Sequence, residues 1–306
     1  MNTELERVVT EVGKVIKGKD HIIHKVLAAV LAGGHVLLED IPGVGKTTLA
    51  IALGKSMELE YKRMQFTPDV LPSDIVGFTM YNSKTGEFEY KKGAIFCNLF
   101  LADELNRTSS KTQSALLEVM EETKVTVDGV PYPLPKPFTV IATENPFGSS
   151  GTQLLPESQL DRFLICLSMG YPSHEAAVDI LKSSAGEGLD MVQSVMTAKR
   201  LMELRKQAET LHAEDGIYEY VVQLVEATRQ DARIALGVSP RGGIALLKMA
   251  KAMALLRGGE YVIPEDVLSV IEDVWRHRIH LNAKARAEGM DVSDIIMEIT
   301  ERIHAV

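Results

Sequence analysis

Residues 37–48 read LLEDIPGVGKTT and continue a short apolar run. An apolar strand, a glycine-containing loop and a helix that begins near Lys46 form a P-loop, in which successive backbone N–H groups make an anion nest. Gly43 and Gly45 have no Cβ, so the backbone can come close to phosphate oxygens. We expect Lys46 to reach the β- and γ-phosphates of a nucleotide and the Thr47 hydroxyl to bind Mg²⁺.

The loop departs from the full G-x-x-x-x-G-K-[ST] pattern at its first position, where Asp40 replaces glycine. A glycine-rich turn without function is the alternative interpretation. The order of strand, loop and helix argues against that alternative, because this context is what the motif requires. We therefore expect Asp40, Pro42, Val44 and Thr48 to take part in nucleotide binding as members of the same loop.

The size and charge of the chain narrow the class of protein. Its 306 residues suffice for two domains, and its formal net charge of −9 gives no basic field that would attract DNA or RNA. Cys97 and Cys166 lie in apolar runs without metal-ligand spacing, as reduced core cysteines of a cytosolic protein do. The N-terminus has no apolar signal segment, and no apolar run approaches the roughly 20 residues that span a bilayer. We therefore expect a cytoplasmic protein without a membrane span, for which nucleic acid is not the expected partner.

The first half of the chain alternates strand-like and helix-like segments. Its predicted strands are apolar throughout, which is typical of a parallel sheet covered by helices on both faces. We therefore predict an α/β fold with a doubly wound parallel sheet in a domain over residues 1–185. The predicted strands begin at Val36 and cover 61–66, 94–102, 138–142 and 163–169.

Two segments interrupt this alternation. Residues 68–93 carry spaced glycines and aromatic residues that indicate an inserted hairpin. Residues 124–137 contain Asp128-Gly129 between alternating residues, which is a strong signal for a two-residue hairpin turn. Prolines follow closely, so we expect the second arm of this hairpin to be an edge strand.

Beyond residue 185 the sequence has only helical periodicity. We predict a separate, all-helical domain over residues 186–306, which follows a glycine-containing linker at 184–188. The predicted helices cover 197–213, 217–231, 240–257, 264–281 and 292–304.

The apolar strand that precedes residue 103 ends in two adjacent carboxylates, Asp103 and Glu104. At the carboxyl edge of a buried strand, Asp103 can bind Mg²⁺ directly or through water, and Glu104 can polarise the water that attacks a γ-phosphate. Acidic pairs at strand ends are common and carry little weight alone. Their position on a core strand downstream of a P-loop favours the catalytic interpretation.

Three further polar residues follow along the chain. Asn145, just past a central strand, is placed to sense the γ-phosphate and help position water; a turn asparagine before proline is the alternative. Arg162 precedes the last predicted strand and could supply an arginine finger to a neighbouring subunit of a ring. Arg241 opens a helix of the second domain and could reach the γ-phosphate of its own subunit, although an arginine at a helix start is more often a surface residue.

Together these residues resemble those of the AAA+ ATPases, and within them the MoxR family, over essentially the whole chain. In that family's terms the P-loop is Walker A, Asp103-Glu104 is Walker B, Asn145 is sensor 1 and Arg241 is sensor 2. The two inserted segments take the places of the family's helix-2 insert and pre-sensor-1 hairpin, and the C-terminal domain that of its helical lid. The resemblance is carried by DELNR (103–107), ATENP (142–146), LDRF (160–163) and SPRGG (239–243).

The resemblance implies a ring, with six subunits expected, that binds ATP and Mg²⁺ at its subunit interfaces. It also implies a chaperone-like role in the maturation of other proteins, and partners that contain von Willebrand factor A domains. The trans arginine stays open: Arg162 is favoured because LDRF resembles the finger-bearing loop of relatives, and Arg107 is the alternative. Ile16 lies where relatives pack the adenine, although it is equally explained as an apolar helix residue.

Other functions share much of this pattern. A nucleotide-gated interaction module with slow hydrolysis is one alternative, but the presence of Glu104 favours an enzyme, since a pure binding module could lack it. A DNA-acting AAA+ motor shares both inserted segments, and the acidic net charge argues against it. A magnesium-chelatase-like motor subunit is a close neighbour that the sequence separates poorly from the MoxR family.

Overall fold

The computed structural model of the chain describes residues 2–39, 43–145, 155–182 and 188–305, and it has an α/β part followed by a mainly helical part. Short 3₁₀ helices cover Leu105–Arg107 and Gly188–Met191. The strands are β1 (Val36–Glu39), β2 (Tyr61–Gln65), β3 (Gly77–Asn82), β4 (Glu87–Lys92), β5 (Leu99–Asp103), β6 (Lys124–Val127), β7 (Val130–Pro133), β8 (Thr139–Glu144), β9 (Ile165–Leu167), β10 (Ile234–Leu236) and β11 (His280–Leu281). The helices of the α/β part are α1 (Thr3–Gly13), α2 (Asp20–Leu31), α3 (Lys46–Ser56), α4 (Pro72–Val76), α5 (Ser110–Glu122), α6 (Glu157–Leu160) and α7 (His174–Lys182). Those of the C-terminal part are α8 (Ala198–Thr210), α9 (Asp215–Gln230), α10 (Pro240–Arg257), α11 (Pro264–Leu268), α12 (Ile271–Trp275), α13 (Ala283–Ala287) and α14 (Val292–Arg302).

Five parallel strands form the central sheet, in the order β2-β5-β8-β1-β9. Successive residues of its inner strands point to opposite faces, so each face packs into its own apolar cluster. Leu37 and Phe100 belong to one cluster, and Leu38 and Leu101 belong to the other. The predicted doubly wound sheet, covered on both faces, is confirmed.

The predicted strand at 94–102 is shorter than expected, because only Leu99–Asp103 joins the sheet. Residues 95–97 are buried like a central strand, but this segment pairs elsewhere. The N–H groups of Ala94 and Ile95 donate to carbonyl groups of α4, at 3.0 and 3.1 Å. Apolar runs of this kind form either buried loops or buried strands, and periodicity alone does not distinguish the two.

Both inserted segments contain the predicted hairpins. In the first, β3 and β4 pair antiparallel and α4 precedes them. In the second, β6 and β7 flank Asp128 and Gly129, whose φ angles of 51° and 78° are the left-handed conformations of a two-residue hairpin turn. The Asp-Gly signal therefore located the turn to the residue.

The C-terminal part is helical with one correction, since β10 and β11 form a short antiparallel ladder that the all-helical prediction did not include. The predicted helix at 264–281 is divided into α11 and α12, and the chain then enters β11. Trp275 lies at the centre of this part, fully buried, and its indole N–H donates to the Gly242 carbonyl at 3.0 Å. Most of the predicted linker lies outside the described residues, so the domain boundary at 185 stays a prediction.

Arg278 joins the C-terminal part to the α/β part. Its buried guanidinium donates from Nε to Asp161 Oδ1 at 2.7 Å and from Nη2 to the Phe163 carbonyl at 2.6 Å. A buried charge that has lost its hydration is stable only when such partners replace the water. Arg278 therefore holds the two parts at a fixed contact beside β9.

Two expectations from the sequence, buried reduced cysteines and the lack of a membrane-spanning helix, can be compared with the structure. Cys97 and Cys166 are buried thiols that form no disulfide. Burial raises the pKa of the Cys97 thiol to about 12, which keeps it protonated and unreactive near neutral pH. Across the described ranges, no helix combines the length and apolar character needed to cross a membrane.

Candidate nucleotide-binding site

Three elements meet at the carboxyl edge of the sheet: the loop before α3 and the ends of β5 and β8. Because β5 and β8 are parallel neighbours, with Ala102 opposite Ala142, the residues that follow them emerge side by side. Open α/β sheets bind ligands at this edge. The cavity here has a volume of about 370 Å³ and is lined by Gly43, Gly45, Lys46, Thr47, Thr48, Arg63, Gln65, Asp103, Glu104 and Asn145. Apart from Arg63 and Gln65, all of these residues were predicted from the sequence.

The N-terminus of α3 forms one end of the cavity. Gly43 and Gly45 have φ angles of 88° and 95°, a left-handed backbone that L side chains rarely adopt. Gly45 is also the N-cap of α3, and no side chain caps this end of the helix. Uncapped N–H groups at a helix start, with the dipole behind them, are suited to an anion. Asp40 and Pro42 of the predicted loop lie outside the described residues.

Asp103 is buried, 8 % exposed, and hydrogen bonds reach both of its carboxylate oxygens. Thr143 Oγ1 donates to Oδ1 at 2.7 Å, and Arg63 Nη2 donates to Oδ2 at 2.7 Å. Asp103 and Thr47 line the same cavity. Their carboxylate and hydroxyl oxygens are of the ligand type that Mg²⁺ prefers, and water and phosphate would complete its coordination shell. The donor set therefore fits Mg²⁺, and the Arg63 guanidinium already lies beside the carboxylate that would bind it.

Glu104 has a left-handed backbone, with φ 56° and ψ 50°, which is strained for a residue other than glycine. Its N–H donates to Thr143 Oγ1 at 2.8 Å, so one hydroxyl connects both acidic residues. Its Oε2 lies 2.6 Å from Arg107 Nη1. Arg107, the alternative trans arginine, is thus paired with the candidate general base of its own subunit.

Sequence reasoning missed Arg63, Gln65 and Thr143. The first two project from the same face of β2, and they enter the site because β2 lies beside β5, with Gln65 opposite Asp103. Strand order is not visible in local sequence, so no signal marked them. Thr143 did have a signal in the sequence, because it is a polar residue at the end of an apolar strand, next to Asn145. A buried hydroxyl at such a position needs hydrogen-bond partners, which points to polar neighbours.

Asn145 lines the cavity directly after β8, where a sensor was predicted. Its backbone carbonyl accepts a hydrogen bond from Asn106 Nδ2 at 3.0 Å, and Asn106 is almost fully buried. The segment after Walker B therefore fixes the chain at Asn145. Its contact with a γ-phosphate stays a prediction.

Comparisons with known proteins decide the family. Residues 35–165 match the model of the "ATPase family associated with various cellular activities (AAA)", and residues 226–299 match that of the AAA lid domain. YeaC of Bacillus subtilis is 48 % identical over 98 % of this chain and 94 % of its own length. The chaperone MoxR1 of Mycobacterium tuberculosis is 38 % identical over 98 % of this chain and 81 % of its own. This chain belongs to the MoxR family of AAA+ ATPases.

The fold is also that of a solved relative. The crystal structure of a candidate ATPase from Cytophaga hutchinsonii is 38 % identical and superposes with a TM-score of 0.92, over 100 % of this chain and 96 % of the other. The predicted AAA+ core and lid are therefore confirmed for this MoxR-family protein.

A second cavity, of about 220 Å³, also borders the predicted P-loop and shares Gly43, Gly45 and Thr48 with the first. Ile16 and Val44 both contribute to its wall. Ile16 is 5 % exposed and belongs to the apolar core, and its Cδ1 would lie 3.5 Å from a Cβ placed on Gly45. Ile16 is thus both a core residue and part of a cavity beside the P-loop, and its contact with adenine stays a prediction.

Arg162 and Arg241 do not line the nucleotide cavity, and they share one carboxylate at the end of α5. Arg162 Nη1 lies 2.5 Å from Glu121 Oε2, and Arg241 Nη2 lies 2.7 Å from Glu121 Oε1. The hydrogen bond from Arg241, together with the charge of Arg162, holds the pKa of Glu121 below its usual range. Arg241 pairs with Glu121 because α10 begins beside it, and its approach to the γ-phosphate of its own subunit stays a prediction.

Glu144 is an acidic residue at the end of β8, opposite Glu39 of β1. It is 5 % exposed, and its Oε1 has no hydrogen-bond partner within the described ranges. Burial, and then the charge of Glu39 opposite it on β1, raises the pKa of Glu144 to about 7. Glu39 itself lies 2.5 Å from Arg276 Nη2 of the lid. This edge of the sheet therefore contains a carboxyl group that is partly protonated near neutrality.

Proposed function

We propose that this MoxR-family protein hydrolyses Mg-ATP in a ring, expected to be a hexamer, and uses the reaction to remodel partner proteins. The observation that supports this most is Glu104, held at the end of β5 beside the P-loop and on the same hydroxyl as Asp103. A binding module does not need a strained acidic residue at this position. A water-activating base does, since its carboxylate must be aimed at the attacking water.

Each residue then has a stated task. Lys46 and the first turn of α3 hold the β- and γ-phosphates. Mg²⁺, when bound at Thr47 and Asp103, neutralises the phosphate charge. Thr143 orients both acidic residues through its hydroxyl, and Glu104 takes a proton from the attacking water.

The remaining assignments concern the trans arginine, the sensor, the partners and the location of the protein. Arg162 is the favoured candidate for the trans arginine because LDRF resembles the finger-bearing loop of relatives, and Arg107 is the alternative. Both are in ion pairs within their own subunit, Arg162 with Glu121 and Arg107 with Glu104. Asn145 is proposed as sensor 1 from its place after β8. Partners with von Willebrand factor A domains, and a cytoplasmic location, are proposed from the family resemblance alone.

A nucleotide-gated interaction module with slow hydrolysis is the second candidate, and one observation favours it. Both Walker B carboxylates are paired with arginines of their own subunit, Asp103 with Arg63 at 2.7 Å and Glu104 with Arg107 at 2.6 Å. A carboxylate held by a guanidinium must leave that partner before it can face the attacking water. Hydrolysis would then stay slow until a partner or a neighbouring subunit displaced Arg107.

The deciding experiment is the steady-state ATPase rate per subunit against protein concentration, with Glu104→Gln as the blank. A remodelling ring predicts a rate that rises with concentration and reaches a plateau, and a loss of about 10²–10⁴-fold in the variant with ATP binding retained. Glu118→Gln, an exposed carboxylate on α5, is the matched control. A low rate at all concentrations that Arg107→Ala raises would support the module instead, and normal turnover by Glu104→Gln would refute the assignment of the base.

A further inference from the structure

A cavity of about 670 Å³ lies between the end of α2 and the lid helices α8 and α10. Arg205 of α8, which lines the cavity, shows where the cavity lies relative to the sheet. Its Nη2 donates to Oγ1 of Thr139, the first residue of β8, at 2.9 Å. The nucleotide cavity lies beyond the other end of that strand. The 670 Å³ cavity is therefore at the opposite edge of the sheet, and its volume is within the range of roughly 300–1,000 Å³ that ligand pockets have.

The cavity is cationic in an acidic protein. Four of its lining side chains are bases and one is an acid, whereas the whole chain has a formal net charge of −9. Across the described ranges, none of the four bases forms an ion pair. The bases are Arg205, Lys206, Lys248 and Lys251, and the acid is Glu209.

Arg205 is the most informative of these side chains. Its Nε is buried without a hydrogen-bond partner, and its one hydrogen bond within the described ranges is that to Thr139. Burial lowers the pKa of Arg205 to about 10, so the group is still charged at neutral pH. A desolvated charge without a carboxylate partner is costly, and a guanidinium offers a planar pair of donors that matches a carboxylate.

The rest of the lining is apolar. Leu31, Met202 and Leu247 contribute side chains, and Ile244 of α10 is 59 % exposed at the rim. Apolar side chains beside a guanidinium that has no carboxylate partner suit a ligand with both a charged and a hydrocarbon end.

We propose that this cavity binds a small organic anion with an apolar body, whose carboxylate pairs with Arg205 and whose hydrocarbon part contacts Leu247 and Ile244. Such a ligand touches α2 of the core and α8 and α10 of the lid at once. It therefore binds best when core and lid keep the separation seen here. Binding of this anion does not require ATP hydrolysis.

The test is isothermal titration of the full chain with sodium octanoate, and with 1-octanol as the uncharged probe of equal chain length. We expect saturable binding of one octanoate per chain, with octanol at least tenfold weaker, because a charge-assisted pair is lost. Arg205→Met should weaken octanoate at least tenfold. Lys199→Gln, an exposed lysine of α8 outside the cavity, should leave the affinity unchanged.

Thermal unfolding separates a binding role from a structural one. Arg205→Met should unfold at the same or a higher temperature than the wild type, since it removes an unpaired buried charge. If that variant does not fold, the double variant Lys248→Gln, Lys251→Gln replaces it. No saturable octanoate binding by the wild type, or equal affinity in these variants, would overturn the proposal. The ATPase rate of the same variants shows separately whether the proposed function holds.

Discussion

Replacement of Glu144 by glutamine should stabilise the protein at neutral pH. The unfolded chain releases the Glu144 proton near pH 4.5, whereas the folded chain keeps it to about pH 7. Between these values the folded state binds more protons, so the free energy of unfolding of the wild type falls as the pH rises. Glutamine copies the shape of the protonated acid and does not titrate.

The size of the effect follows from the two pKa values. One pKa unit corresponds to about 1.4 kcal/mol, so complete ionisation of Glu144 costs roughly 3 kcal/mol. Between pH 5 and pH 7 the part that is lost is about 2 kcal/mol. Glu144 is 5 % exposed, and therefore solvent screening does not reduce this value much.

The assay is urea unfolding without nucleotide, followed by circular dichroism at several pH values across this range. The difference in unfolding free energy, variant minus wild type, should rise by about 2 kcal/mol from pH 5 to pH 7. Glu219→Gln, an exposed carboxylate of α9, serves as the control and should show no such rise. Parallel pH profiles for Glu144→Gln and the wild type would refute the reasoning.

Two further predictions concern one buried and one shared group. His35 accepts the Val140 N–H at Nδ1 and burial lowers its pKa to about 4, so the unfolded chain binds the proton first. Between pH 6.5 and pH 4 the wild type should therefore lose roughly 3 kcal/mol of unfolding free energy, and His35→Gln should not. Urea unfolding at several pH values measures this difference. The same dependence of unfolding free energy on pH in both proteins would contradict the prediction. Glu121→Gln removes the carboxylate that positions Arg162 and Arg241, so the ATPase rate should fall about fivefold, or about 1 kcal/mol, with ATP affinity unchanged. An unchanged rate would show that neither arginine needs Glu121.

The parts of the fold that local sequence specifies were predictable. The P-loop has left-handed backbone at Gly43 and Gly45, and the second hairpin has it at Asp128 and Gly129. Because few residue types adopt this conformation easily, the glycines and the Asp-Gly pair predict both turns. The apolar strands likewise required burial on two faces. The predicted strand at 94–102 was wrong at its first residues, because residues 94–98 form a loop that buries its apolar side chains against α4.

The site residues that belong to a sequence motif were predictable, but those that depend on which strands are neighbours in the sheet were not. Lys46, Thr47, Asp103 and Glu104 carry motifs, and they meet as expected. Arg63 enters through the position of β2 beside β5, which follows from the whole sheet and from no local pattern.

The partner of Arg241 was unpredictable for a related reason. Arg241 and Glu121 are separated by 120 positions along the chain, and their contact depends on how the lid packs on α5. Sequence spacing does not contain that geometry. A guanidinium reaches several acceptors through its flexible stem, so it pairs with whichever carboxylate the packing brings near.

These pairings have one consequence for the proposed ring. Within a single subunit, both candidates for the trans arginine are paired, Arg107 with Glu104 and Arg162 with Glu121. Glu121 also pairs with Arg241. A neighbour's phosphate or carboxylate must displace these partners before an arginine can act in trans. The pairs are partly exposed, so each exchange costs only about 1 kcal/mol or less, which the nucleotide charge can offset. We therefore infer that an isolated subunit keeps its catalytic charges paired within itself, and that assembly around ATP is what redirects them.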